Sequence, residues 1–531
     1  MKARRGVVVV LALLVAVSPA LAATKAEKAR QKALAAKIDA ILAEPGAARG
    51  FWGVEVVALR SGTTLYARNA EKLFTPASNA KLFITAAALA LIGPEHKFRT
   101  TVEAASAPDR YGRIAGDLVL VGRGDPNLSG RTLPFKTRTE RDQPPVFVLE
   151  QLADQLAARG VRVVEGDVVA DDTYYIFERY AEGWSYDDLA HAWGAPVSAL
   201  ALNDNVLFVR ILPGERPGEK AFVTLDPFPE SFQIDNRLVT TAAGSGPRNI
   251  VVDRRPGSST LTLWGSIPAD DTGASEAIAL EDPADFSARI FRRLLERRGI
   301  NVYGNARARH QEPMGLPTFH VTATASAGGG PAETGSAATS QPVVLAAHES
   351  LPLAEDLRVI NKVSQNLHAE MALRLLGREK GTAGSIDAGL KVLQSFVTQA
   401  GVNPAEVVLY DGSGLSRKNL VSPRALVGLL RYAAAQPWGG AYRETLPVAG
   451  QDGSLAERFH NTPAEGRVQG KTGSMEHVKS LSGYLTTLAG EPVAFSILSN
   501  NHTFSYEEAD AVIDRIVQAV VDDRAPAPRK R

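Results

Sequence analysis

Three short polar motifs, widely separated, constrain this chain more than any bulk property does. They are S-x-x-K at Ser78 and Lys81, S-x-N at Ser364 and Asn366, and K-T-G at Lys471, Thr472 and Gly473. Each supplies a different part of one serine acyl-transfer machine: a nucleophile with its base, a proton relay, and a cationic clamp for a carboxylate. None carries weight alone, since S-x-x-K arises by accident in long chains, Ser and Asn within a helix more often face solvent, and K-T-G is a common tripeptide. Here no other Ser is followed by Lys at that spacing, no second K-T-G exists, and the order is the one the chemistry needs. The fold must therefore bring three distant stretches back to one crevice.

The local reading of each motif fits such a role. Residues 52–59 and 63–67 have strand character and are joined by Arg60, Ser61 and Gly62. A helix follows, with Thr75 as N-cap, Pro76 at its first position, and Leu82, Phe83, Ala86, Ala87 and Ala90 on the buried face. Ser78 then lies in the first helical turn, where free N–H groups and the positive dipole end favour developing negative charge. Lys81, three residues on, shares its face. A lysine base must be uncharged, and burial near a second cation such as Lys471 lowers its pKa in that direction. Ser364 is placed to pass a proton to a leaving amine, and Asn366 to hydrogen-bond the substrate amide or Lys81. Both fall within a helical periodicity through Leu353, Leu357, Ile360, Val363, Leu367, Met371 and Leu375. On a strand edge, Lys471 and Thr472 would hold a carboxylate while Gly473 allows close backbone approach, and the N–H of Ser474 would join that of Ser78 in an oxyanion hole.

Between the first two motifs the texture changes. From about residue 100, short strand-like pieces (117–121, 161–170, 206–212, 261–264) are broken by Gly, Pro and Asp and interrupted by helical patterns at 145–158 and 282–298. Residues 325–341, with three consecutive glycines, read as a flexible low-complexity loop that is expected to close this insertion. Helices return at 387–400 and 423–435, strands at 481–487 and 493–499, and a last helix opens on a Ser505/Glu508 capping box. Its stripe of Val512, Ile513, Ile516, Val517, Val520 and Val521 suits docking on the protein's own sheet better than lying on a membrane. The expected fold is α/β (α+β), a sheet flanked by helices. A discontinuous catalytic domain spans 23–100 and 342–523, and a mainly β inserted region of one or two nested domains spans 101–341.

Residues 1–22 read as an export signal: Lys2, Arg4 and Arg5, an apolar run over 6–17, and Ala20-Leu21-Ala22 before Ala23. The apolar run is short for a membrane span, and no other run approaches spanning length, so an exported protein without an integral membrane anchor is expected, in the periplasm or cell-wall space. The basic tail 524–531 is read as a solvated end. The 531 residues exceed one core, and the absence of Cys excludes disulfides and thiol catalysis. A net charge of +1 gives no footprint for nucleic acid, and the nine His show no metal-ligand spacing. No metal and no cofactor are expected.

With these residues in view, the chain resembles the class C low-molecular-mass penicillin-binding proteins, the D-alanyl-D-alanine carboxypeptidase/endopeptidase family, across nearly its whole length after residue 22. The likeness extends to Thr75-Pro76-Ala77-Ser78-Asn79-Ala80-Lys81, Gly122-Arg123-Gly124-Asp125-Pro126, Gly194-Ala195-Pro196-Val197-Ser198-Ala199-Leu200, Asp411-Gly412-Ser413-Gly414-Leu415-Ser416-Arg417 and Leu446-Pro447-Val448-Ala449-Gly450. It implies a serine β-lactamase/transpeptidase-like sheet with a large insertion between the first and second motifs. It further implies Ser78 as nucleophile, Lys81 as base, Ser364 and Asn366 as relay, Lys471 with Thr472 and Gly473 as carboxylate clamp and strand edge, and Ser474 and Ser413 beside the substrate. Arg417 and an acidic residue of the insertion, Asp172 or its neighbour Asp171, would face the peptide side chain. The implied partners are peptidoglycan stem peptides and cross-links, with β-lactams as covalent inhibitors. A β-lactamase or esterase with the same nucleophile, and a non-catalytic peptidoglycan-binding protein, are the competing readings. His368, His477 and Trp184 with Asp187 and Asp188 are read as structural or surface groups.

Overall fold

A five-stranded antiparallel sheet is assembled from both ends of the chain. Strands β1 (Phe51–Ala58) and β2 (Thr64–Arg68) come early, and β3 (Val468–Met475), β4 (Val478–Thr486) and β5 (Pro492–Asn500) come late, in the spatial order β3-β4-β5-β1-β2. The seam is the β1–β5 ladder, in register from Phe51↔Asn500 to Ala58↔Val493. The helices that matter to the site are α1 (Lys25–Leu42), α2 (Lys81–Leu91), α3 (Leu353–Lys362), α4 (Asn366–Lys380), α5 (Pro423–Ala434) and α6 (Tyr506–Val521). Strand side chains alternate between faces. Val54, Val56, Ala58, Phe495 and Ile497 therefore pack with α1 and α6, whereas Val57, Ala494 and Leu498 pack with α2 and α5. The Ser505 capping box forms, and the whole α6 stripe is buried. This computed structural model describes residues 25–131, 143–226, 232–255, 257–313 and 341–523; the expected signal, nearly all of the loop 325–341 and the tail 524–531 lie outside the described residues.

The excursion between the first two motifs leaves on the strand Arg99–Ala104 and returns on Val343–Glu349, which pair antiparallel from Ala104↔Val343 to Arg99↔Glu349. These two strands are neighbours in a second five-stranded sheet with Leu118–Val121, Val168–Ile176 and Ala306–Gln311. Helices Phe147–Ala158 and Pro283–Arg297 pack against it in one apolar cluster drawn from residues 102–346. Three-stranded sheets within 206–279 complete the mainly β character.

Three expectations change in detail, each for a local reason. The strand expected over 161–170 is two pieces, Val163–Val164 and Val168–Ile176. Between them Gly166 passes so near Asp117 that a Cβ would lie 2.5 Å from Asp117 Oδ1. The helix expected over 353–375 breaks into α3 and α4, because Ser364 adopts φ +61° and the Gln365 side chain caps α4 by accepting from Leu367 N at 3.1 Å. Ser and Asn lose little by leaving a helix and make good ends. Finally, α2 starts at Lys81, behind a 3₁₀ turn Ala77–Ala80, since Ala77 sits at φ +48°. Thr75 is not the cap; its backbone is held by Asn500, with N to Oδ1 at 2.8 Å and O from Nδ2 at 3.1 Å.

Asp172 is also placed differently from expectation. It is 2% exposed, accepts from Ser198 Oγ at 2.8 Å, and meets His310 Nδ1 at 2.8 Å. His310 Nε2 meets Asp282 at 3.1 Å, and Asp282 also caps the helix Pro283–Arg297. Its neighbour Asp171 is turned to Thr173 and Arg309. Neither aspartate reaches Arg417, because both are already used inside the insertion. Burial alone would lower the His310 pKa, but its hydrogen bonds to Asp172 and Asp282 outweigh that and push it up to about 10. A folded-state value above the unfolded one means that the clamp stabilises fully below about pH 6.5 and is lost as pH rises through about 10. We expect His310→Gln to cost about 3 kcal/mol at mildly acidic pH, through uncompensated carboxylates, and much less near pH 10. Urea denaturation of parent and variant at the two pH values reads the difference; an equal gap at both would contradict the clamp.

Candidate active site

The 3₁₀ turn that follows Ala77 lifts Ser78 to the rim of the crevice while Lys81, the first residue of α2, points inward. Lys81 is fully buried, and its Nζ donates to Ser78 Oγ at 2.8 Å, Asn366 Oδ1 at 2.6 Å and the Ser413 carbonyl at 2.5 Å. Burial pulls its pKa down to about 7, against the opposing pull of the Asp411 and Glu370 carboxylates. Of the two expected causes, burial and a neighbouring Lys471, burial dominates at Lys81, and the repulsion between the two ammonium groups is felt at Lys471. That lysine, also fully buried, is held well below its ordinary value by desolvation first and by Lys81 second.

The break between α3 and α4 delivers the second motif. Ser364 Oγ accepts from Lys471 Nζ at 2.8 Å, and Lys471 also donates to the Thr472 carbonyl at 2.8 Å. Asn366 accepts from Lys81 through Oδ1 and donates through Nδ2 to the Trp193 carbonyl at 2.8 Å. An amide whose nitrogen is tied to a carbonyl can only turn its oxygen to the ammonium, so the insertion orients this side chain. Two lysines, two serines and one amide thus form two adjoining hydrogen-bonded sets.

The third motif lies on β3, the edge strand, beside the Ser78 turn. Asn79 stitches the two together, donating to Lys471 O at 3.1 Å and Ser480 Oγ at 2.7 Å, while Ser480 Oγ donates to Pro76 O at 2.9 Å. Contact here is so close that a Cβ at Gly473 would lie 2.2 Å from Ser480 Oγ and 3.0 Å from Ser78 N. Only glycine fits. Thr472 Oγ1 is 2.6 Å from Ser454 Oγ, and Ser474 is exposed on the same edge.

The floor is the segment from Asp411 to Arg417. The fully buried Glu370 of α4 accepts from Gly412 N at 2.9 Å and Ser413 N at 2.8 Å and pairs with Arg374 at 3.2 Å. Asp411 accepts from Gly414 N, Ser416 N, Asn419 and the Trp184 indole. Ser413 is therefore wholly buried, with its N, O and Oγ all engaged within the protein. It supports Lys81 rather than facing a substrate, which corrects the expectation from sequence. Arg417 stays half-exposed and pairs with Asp188 Oδ2 at 3.0 Å, while Asp188 Oδ1 accepts from the Trp193 indole at 2.9 Å. Asp188, not Asp172, is the acidic partner of Arg417.

Asn79, Glu370, Asp411, Asp188, Ser454 and the Trp193 carbonyl were missed from sequence. A carbonyl leaves no residue-type signal, but the Ser185/Asp188 capping box beside Trp184 was legible as a built turn. His368 is buried between Asp356 at 2.6 Å and Asp204 at 3.3 Å, and His477 occupies the β3–β4 hairpin tip at φ +60°; neither touches Ser78.

The sequence pattern of the D-Ala-D-Ala carboxypeptidase 3 (S13) family matches residues 34–317 and 330–521. The chain is 39% identical over 501 residues to a D-alanyl-D-alanine carboxypeptidase of Actinomadura sp. (strain R39), covering 92% of this chain and 85% of that one. It is 24% identical over 441 residues to the D-alanyl-D-alanine carboxypeptidase DacB of Haemophilus influenzae, covering 82% of each. Its fold is similar to the crystal structure of penicillin binding protein 4 from Haemophilus influenzae, with a TM-score of 0.74 at 23% identity over 91% of this chain and 97% of the other. That Haemophilus protein has also been solved in complex with a β-lactam.

Proposed function

The chain belongs to the D-Ala-D-Ala carboxypeptidase 3 (S13) family, and from that premise we propose that Ser78, Lys81, Ser364, Asn366 and Lys471 carry the reaction of a penicillin-binding serine peptidase that trims peptidoglycan stem peptides. The observation that supports this most is the Lys81 ammonium position, within 2.8 Å of both Ser78 Oγ and Asn366 Oδ1 and with a pKa brought to about 7. Uncharged Lys81 takes the Ser78 proton as Oγ attacks the penultimate carbonyl of a D-Ala-D-Ala end. The tetrahedral centre collapses to the Ser78 ester as its C–N bond breaks, and the departing D-Ala amine receives the proton that Lys81 took, relayed through Ser364, while Lys471 keeps its own. Water then hydrolyses the ester. With the amine of a cross-bridge as leaving group, the same steps amount to endopeptidase action.

An extended peptide adds along the edge of β3 from Lys471 onward, past the Pro447–Ala449 segment that pairs with Val468 to Gly470, its carboxylate meeting Lys471 and Thr472. The carboxylate supplies the countercharge that the buried Lys471 lacks, so binding itself favours the charged clamp. The residues 1–22 fit export to the cell-wall space, where this substrate is found. Among the described residues no helix is long and apolar enough to cross a membrane.

Mass spectrometry of muropeptides incubated with the purified protein tests the reading. Loss of one alanine from pentapeptide stems is expected. Unchanged stems together with rapid turnover of penicillin would favour a β-lactamase instead, and binding to murein without any cleavage would favour a scaffold.

A further inference from the structure

The second motif is held from outside the catalytic sheet. The turn Asn203–Asn205 of the insertion has three consecutive residues at φ 54–55°, a left-handed run that non-glycine residues enter only when over-determined by their surroundings. Three side-chain hydrogen bonds brace it: Asn203 Nδ2 donates to Val206 O at 2.7 Å, Asn205 Nδ2 to Pro196 O at 2.8 Å, and Leu202 N to Asn205 Oδ1 at 3.1 Å. All three residues are buried. What this strained turn presents is the Asp204 carboxylate. It receives Arg131 Nη2 from elsewhere in the insertion, Gln365 Nε2 at 3.1 Å and His368 Nε2 at 3.3 Å.

Gln365 and His368 flank Asn366. Gln365 uses its other amide atom to cap Leu367 N, and His368 uses its other nitrogen on Asp356 of α3. The carboxylate therefore fixes the cap of α4 and its first turn, and ties both to α3, on either side of the residue that accepts from Lys81. Resting on the serine-peptidase reading, we propose that Asp204 is a positioning residue for the reaction. It holds the α3–α4 break in the geometry that presents Asn366 to Lys81 and Ser364 to Lys471, so that the insertion is a working part of the catalytic centre. Trp193 O completes the hold from the same stretch of chain.

The test measures acylation by a fluorescent penicillin across pH on full-length Asp204→Asn and Gln365→Ala. Leu263→Ala, a core change in the insertion, serves as a variant destabilised without touching the turn. Rates are expressed per folded molecule. For both test variants we expect a fall of about tenfold or more. We also expect the pH midpoint of acylation to move lower, because an ammonium deprived of the Asn366 oxygen gives up its proton more readily. Leu263→Ala should keep the parent rate and midpoint. A midpoint like the parent's in both test variants would overturn the proposal, whatever their rates. A parent that penicillin does not label would instead overturn the serine-peptidase reading, so the two failures are distinct.

Discussion

Ser78→Ala is expected to remove the covalent adduct altogether. No substituent remains that can form an ester, so intact-protein mass spectrometry after penicillin treatment shows the unmodified mass, and alanine release from stem peptides falls to background. Stability should scarcely change. Ser78 is half-buried on the rim, and the one hydrogen bond it forfeits comes from Lys81, which keeps Asn366 and the Ser413 carbonyl as acceptors. A melting temperature close to the parent's would show that the lost labelling is chemical. Undiminished labelling would remove Ser78 as nucleophile and with it the acyl-enzyme.

Lys81→Met separates the base from the nucleophile at nearly constant volume. We expect acylation to slow by about 10³-fold, within the range for loss of a general base. The pH profile is the sharper signature. In the parent, acylation should rise with pH until Lys81 has lost its proton at about 7 and then level off; the variant should lack that inflection. Stability should move the other way. A lysine whose folded pKa lies below its unfolded value holds fewer protons when folded, so its burial costs most below about pH 7 and progressively less towards pH 10.5. The variant should therefore be at least as stable as the parent, most clearly at and below neutrality, as happens when a buried charge is replaced by an apolar group. A normal rate with the inflection intact would eliminate Lys81 as base.

The parts of this fold that could be read from sequence are those governed by short-range rules. The Ser505 capping box and the stripe from Val512 to Val521 announced α6, and the strand-like apolar piece at 206–212 matches its strand residue for residue. The three motifs pointed to residues that the structure brings within hydrogen-bond distance, because their roles demand particular side chains. What escaped was set by tertiary context. Unbroken apolar periodicity through Val363 concealed the α3–α4 break, since the packing that rewards Ser364 at positive φ comes from Lys471 on a distant strand. Asp172 looked suitable by position, but His310, far along the chain, had already engaged it. The spacing from Ser185 marks Asp188 as the end of a turn, but only the approach of Arg417 and Trp193 makes it their partner.

The ladder between β1 and β5 has a consequence for how this molecule comes into being. Phe51 pairs with Asn500, far along the chain, so during synthesis β1 waits with its edge open until that distant strand has emerged. The excursion that begins at Arg99 and ends at Glu349 closes on itself and has its own apolar cluster, so it can collapse first. Refolding from denaturant should accordingly be biphasic, with a fast phase from that middle unit and a slow one from joining the two ends. The slow species, with unpaired strand edges, is the one that chaperones would need to shield from aggregation.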